Sequence, residues 1–216
     1  MDISTRIEAA CERANRNPDE ITLIGASKTV PTGRLEGFFQ AGLHDFGENY
    51  IQEGIEKVQA FHEAGLNANW HFIGALQSNK AREAVSHFEL IHSVDRESLA
   101  RELDKEARKL GKIQRVLLQV NVGGEDSKAG VAPLELGALY TQISRFENLK
   151  VEGLMSLPPF CESLEAMRPF HRKLRELGAD LGLKTLSMGM SHDFEVAIEE
   201  GATHIRLGTA LFGARS

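Results

Sequence analysis

The residues best able to do chemistry together are Lys28, Arg206 and two polar loops near the end of the chain. The segment from Ile21 to Pro31 reads Ile-Thr-Leu-Ile-Gly-Ala-Ser-Lys-Thr-Val-Pro. Its first part, residues 22–26, is short and apolar between turn residues, the pattern of a buried parallel strand. Lys28 stands where that strand runs out, and Pro31 opens a helical stretch, as proline does at a first helical position. A lysine so placed has its stem among apolar neighbours and its amine in a mouth. Desolvation there disfavours the ammonium and leaves a nucleophile for a carbonyl compound. A lone strand-end lysine usually only snorkels to the surface, so the reading depends on what else shares that mouth.

Two loops answer that. Ser187-Met-Gly-Met-Ser191 and Gly208-Thr209 each precede a helix start, which favours negative charge. Gly208 lets the backbone approach an anion, and Ser191 and Thr209 supply hydroxyls. Arg206, just before Gly208, can aim a guanidinium into the same space. Taken singly, such serines and glycines are helix caps. Taken with Lys28, they describe a phosphorylated carbonyl compound, its phosphate at the loops and its aldehyde on the amine. A Schiff-base aldolase acting on a sugar phosphate fits that description, and so does pyridoxal phosphate (PLP) held on a lysine.

The positioning elements follow from periodicity. Helical spacing runs over 3–14, 32–42, 51–64, residues up to 85, 95–110 (with Asp95 as cap), 133–146, 162–181 and 193–200. Short apolar strands run over 22–26, 43–46, 70–73, 90–93, 115–120, 151–155, 184–187 and 204–207. Strand and helix alternate eight times behind one extra helix, which predicts a closed (β/α)8 barrel of the TIM type. A doubly wound open sheet is the alternative. No G-x-G-x-x-G follows the first strand, which removes the dinucleotide fingerprint. In a barrel the loops after the strands share one face, and those after strands 7 and 8 form its usual phosphate site. No repeat or linker divides the chain, so residues 1–216 are expected to form one domain.

Composition narrows the class further. A formal charge of −6 argues against a general affinity for nucleic acid or anionic membrane. Cys11 and Cys161 belong to no ligand pattern, so neither a disulfide nor a metal site is expected, and a reducing compartment fits. The first residues, amphipathic and charged, are no secretory signal, and no run is long enough for a membrane span. The cytoplasm is the expected location.

Longer motifs carry a resemblance. Ala-Ser27-Lys28-Thr29, Phe46-Gly-Glu-Asn-Tyr50, Trp70-His-Phe-Ile-Gly-Ala-Leu-Gln-Ser-Asn-Lys80 and Leu186-Ser-Met-Gly-Met-Ser191 match one family. So do Gln119-Val-Asn121, Ser127-Lys128, Gly153-Leu-Met155, and Arg206-Leu-Gly-Thr209 with Phe212-Gly-Ala-Arg215. Over residues 3–215 the chain resembles the PLP homeostasis proteins. The resemblance implies the PLP-binding barrel of alanine racemase without that enzyme's β-rich second domain, with PLP as a Schiff base on Lys28. It further implies that Ser191, Gly208 and Thr209 hold the phosphate with Ser187 nearby, that Arg206 faces the pyridine nitrogen, and that Asn49 lies near the ring.

The implied activity is to hold and to supply or buffer PLP without turnover. PLP itself, and apo PLP-dependent enzymes that receive it, are the expected partners of a monomer. A PLP-dependent racemase or lyase is the alternative. Two-base racemisation needs a second acid/base on the opposite face of the cofactor. Here Tyr50 and Tyr140 are the only tyrosines, and Tyr140 falls in mid-helix. Lys80 and Lys128 could each anchor a second aldehyde, but solvated loop lysines are the expectation. His71 and His92 read as core or loop histidines satisfied by hydrogen bonds.

Overall fold

A computed structural model describes residues 2–125 and 129–213. Eight parallel strands, β1 (Thr22–Ala26), β2 (Asp45–Glu48), β3 (Asn69–Phe72), β4 (Leu90–Val94), β5 (Gln114–Val120), β6 (Leu149–Ser156), β7 (Thr185–Met190) and β8 (His204–Leu207), close in sequence order, β8 pairing back on β1. The barrel expected from the alternation is therefore present, and the open sheet is excluded. Helix α1 (Ile3–Arg13) precedes it. The outer helices are α2 (Thr32–Gln40), α3 (Ile51–Glu63), α4 (Ala81–His87), α5 (Glu97–Lys109), α6 (Leu136–Ile143), α7 (Leu164–Asp180) and α8 (Phe194–Glu199), with a short α9 (Thr209–Phe212) last.

The apolar residues divide by strand parity, as the pleat requires. Phe46, Trp70, Phe72, Ile91, Val116, Leu118 and Leu154 belong to the main core between strands and helices, where Phe61 of α3 meets Phe46 and Trp70 edge-on. Leu90, Leu117 and Met155 form a small separate cluster inside the barrel. A side chain at Gly47 would meet Ile24 and Ile73 at 2.9 Å, so those two also crowd the interior there. The rest of the interior is polar, as described below.

Several boundaries differ from those expected. β2 begins two residues later than 43–46, because the turn through Gly42 (φ 101°) continues over Leu43. Gly47 and Glu48 consequently belong to the strand, where Glu48 is fully buried. β7 does not stop at Ser187 but continues to Met190, its pairing with β8 shifting register between those two residues around Gly189 (φ 91°). A bulge of this kind supplies an extra residue and re-aims those after it. Asp95 does not cap α5: Arg96 occupies the cap position without a side-chain bond, and Asp95 pairs with Arg96 instead. α6 is shorter than 133–146, its first turns being irregular.

Candidate functional site

Lys28 lies two residues past the end of β1, and the peptides on either side of it are fixed from below. Ser27 is fully buried, donating from Oγ to Glu48 Oε1 at 2.6 Å. Lys57, on the inward stripe of α3 between Gly54 and Phe61, donates from Nζ to Ser27 O (2.7 Å), Glu48 Oε1 (2.8 Å) and Glu53 Oε1 (2.7 Å). Glu53 Oε1 also accepts from Thr29 N at 2.5 Å. Thr29 has φ 65°, a conformation that costs a β-branched residue about 1–3 kcal/mol unless its surroundings hold it. Burial pushes the Glu48 carboxyl up, against the opposing hydrogen bonds of Lys57 and Ser27. Lys28 itself is half-buried, and among the described residues its amine has no hydrogen-bonding or ionic partner. The amine is thus free above a backbone that is not.

Opposite Lys28 lie the other loops. A cavity of about 320 Å³ is lined by Lys28, Thr29, Arg34, Gly208, Thr209 and Phe212 among others. Ser191 Oγ accepts from Gly208 N and Ala210 N, each at 3.2 Å, so the two loops meet at the start of α9. The Ser191 loop is braced by buried Asp193, which accepts from Met190 N (2.7 Å) and pairs with His171 Nε2 (2.8 Å). A Cβ on Gly208 would find only ordinary contacts, 3.6 Å from Ala26 O. Packing therefore does not require glycine there, and the space it leaves faces the Lys28 cavity.

Arg206 lies beneath this mouth. It donates to Ser187 Oγ (2.5 Å) and Ser156 O (2.8 Å), and burial lowers its guanidinium to about 10, still cationic at neutral pH. Ser187 is fully buried and engaged with Arg206 and His92 Nδ1 (2.9 Å), below the Ser191 and Gly208 loops rather than in them. Asn49 lies elsewhere on the same face, lining a second cavity of about 210 Å³ with Ile73, Gly74, Gln119 and Leu157. Lys28, Gly208 and Thr209 thus share one cavity, with Ser191 bonded to its wall. Arg206 and Ser187 support it from below, and Asn49 stands apart. Lys80 is a solvated lysine, paired with Glu83 at 3.1 Å. Lys128 and Arg215 lie outside the described residues.

Comparison with known proteins shows the family. Residues 33–216 match the family model of the alanine racemase N-terminal domain. A pyridoxal phosphate homeostasis protein of Aquifex aeolicus is 50% identical over 216 residues, covering 97% of this chain and 94% of its own. The chain belongs to the pyridoxal phosphate homeostasis protein family. The Pseudomonas aeruginosa member is 46% identical, over 99% of this chain and 93% of its own. The solved structure of PipY from Synechococcus elongatus with PLP bound superposes with a TM-score of 0.86. It is 37% identical, with 96% of this chain and 100% of that one covered. An alanine racemase from Clostridium difficile shares the fold alone (TM-score 0.74, 12% identity), this chain spanning 56% of its length.

Sequence reasoning missed the supports of the barrel mouth. The signal for Lys57 was its place on the apolar stripe of α3, where a lysine is buried only with partners. Nothing comparable marked His171 and Asp193, which meet across 22 residues.

Proposed function

We propose that the chain holds PLP at the carboxy-terminal mouth of its barrel, with Lys28 Nζ as covalent anchor, and supplies or buffers it without turnover of its own. The observation that carries this is the shared cavity of Lys28, Gly208 and Thr209, with Arg206 beneath it. When bound, PLP supplies an aldehyde that condenses with a primary amine and a phosphate that needs N–H and O–H donors. The residues present fit both needs. The hydroxyls of Ser191, which accepts from Gly208 N and Ala210 N and so keeps its own proton to give, and of Thr209 are the donors, and the room left at Gly208 admits an anion.

Each residue has a distinct task. Glu53 and Lys57 hold the peptides flanking Lys28, so that its amine is presented at a fixed height. Asp193 and His171 set the Ser191 loop against α9. Arg206 presents donors and a positive charge, which disfavours protonation of any nitrogen facing it. Strong carbanion chemistry on this cofactor pairs that nitrogen with a carboxylate instead. Tyr50, at the mouth, is 62% exposed, poorly held for a second acid/base. Cytoplasmic PLP-dependent enzymes in their apo form are the proposed recipients.

Function is tested by mixing loaded protein with an apo PLP-enzyme, and separately with common amino acids in heavy water. The reading expects activity to rise in the first mixture and no appreciable Cα deuteration in minutes in the second. Rapid, Lys28-dependent deuteration of any amino acid would make the protein a PLP enzyme.

A further inference from the structure

The interior of the barrel holds an unusual polar column. Asp45 Oδ1 lies 3.0 Å from His71 Nε2, His71 Nδ1 lies 3.0 Å from His92 Nε2, and His92 Nδ1 lies 2.9 Å from Ser187 Oγ. Ser187 Oγ in turn accepts from Arg206 Nη1. The residues come from five strands, β2, β3, β4, β7 and β8, and run from the amino-terminal end of the barrel to its mouth. His92 and Ser187 are buried, as are His71 and Arg206. Asp45 is 23% exposed in its side chain and lines a cavity on the far side.

The two ends fix the direction of every bond between them. An arginine can only donate, and an ionised carboxylate can only accept. Ser187 therefore accepts a hydrogen bond from Arg206 and has its own hydroxyl proton to donate. His92 Nδ1 is within reach to receive it, which places the His92 proton on Nε2, pointing at His71. His71 then accepts at Nδ1 and carries its proton on Nε2, pointing at Asp45. All four bonds run one way, Arg206 to Ser187 to His92 to His71 to Asp45, and no donor along the column is wasted. Bonds aligned like this polarise one another, so the carboxylate at one end strengthens the grip on the guanidinium at the other.

We propose that His92, His71 and Asp45 are positioning residues for Arg206, setting the Ser187 hydroxyl so that its lone pair locks the guanidinium beneath the cofactor mouth. This rests on the reading that Arg206 faces bound PLP. The column needs neutral histidines, and at His92 the surroundings favour that. Burial first, then His71, Arg206, His204 and Arg115, keep His92 well below the ordinary imidazole value. His204, whose ring lies 6.2 Å from both column histidines, is lowered to about 4 by burial and His71, against Asp45 and Glu152. It bonds Thr203 and is not a member of the column.

Long-range ¹⁵N–¹H spectra of the cofactor-free protein at pH 7.5 test the direction. His71 and His92 should both be neutral with the proton on Nε2. A proton on His92 Nδ1 would reverse the column and overturn the proposal. Because no cofactor is present, this result stands apart from the proposed function, which borohydride fixation of PLP on Lys28 tests. Positioning is tested with a pair of substitutions. His92→Gln keeps an acceptor for Ser187 and a donor for His71, whereas His92→Leu keeps neither. PLP should dissociate from the Leu variant roughly two- to tenfold faster, the worth of one or so hydrogen bonds. Its bound cofactor should also absorb at a shifted wavelength, with Gln near the parent protein in both respects. Equal behaviour of the two variants, whether unchanged or equally impaired, would overturn the positioning role.

Discussion

At the scale of single residues, function depends on groups that touch the ligand and on others that hold those groups still. Ser191 and Thr209 are proposed to be of the first kind. Replacing them together (Ser191→Ala, Thr209→Val) should weaken PLP far more than pyridoxal, since each lost bond to a charged group costs about 1.5–3 kcal/mol. Equal loss for both ligands, measured by titration of the cofactor-free protein, would place the phosphate elsewhere. Lys57 is of the second kind. It is 6% exposed in its side chain, and Lys57→Met leaves Glu48, fully buried, without its cation. Breaking such a pair costs about 3–5 kcal/mol. Urea unfolding should show a loss of that order, largely restored by adding Glu48→Gln. An undiminished midpoint in the single variant would mean that Glu48 is already neutral and that the pair holds little.

At the scale of elements, the sequence made the strand order legible and left the strand ends obscure. Apolar runs such as Val116-Leu-Leu are unmistakable because both faces of a parallel strand are buried. Ends depend on what a residue meets in three dimensions. Gly47 and Glu48 look like a turn in sequence, yet Gly47 faces the crowded interior and Glu48 meets Lys57 from α3. Ser187 looks like a phosphate-loop residue, yet β7 runs on past it to Met190 and leaves it inside the strand. The Lys28–Arg206–Gly208 face could be read because barrel topology brings those loops together whatever the details. The column could not, because no spacing in sequence relates His71 or His92 to Ser187.

Glycines give a test at this scale. A Cβ at Gly153 would lie 1.8 Å from Thr185 O, where β6 pairs with β7. Gly153→Ala must therefore push those strands apart, and several kcal/mol of stability should be lost. Gly137, in α6, has nothing within 4 Å of its missing Cβ. Gly137→Ala should raise stability by about 0.5–1 kcal/mol through helix propensity. Thermal melts of the two variants should move in opposite directions. Similar shifts would mean that the β6–β7 pairing is not as described.

At the scale of the whole molecule, a polar barrel interior makes folding sensitive to acid. His204 is lowered to about 4 from its ordinary 6.5, mainly by burial. Between those values the unfolded chain binds a proton that the folded one refuses, so stability falls as pH falls. The full effect is on the order of 3 kcal/mol, present above pH 6.5 and lost towards pH 4. His92 acts in the same direction. Asp45 adds to the loss only below pH 3.8, since burial raises its carboxyl but the bonds from His71 and Asn69 bring it below that ordinary value. Urea midpoints at pH 7.5 and 5 should differ accordingly, and His204→Gln should flatten the difference. A midpoint independent of pH over this range would mean that the interior takes up protons freely.

The central claim is that Lys28 is the anchor, and it can be tested on the intact protein. PLP is added, the complex reduced with borohydride, and the digest searched by mass spectrometry for the modified lysine. The structure predicts the main adduct on Lys28, whose amine meets no partner among the described residues at the head of the shared cavity, and its loss in Lys28→Ala. A main adduct on Lys80, or one that survives Lys28→Ala undiminished, would contradict it.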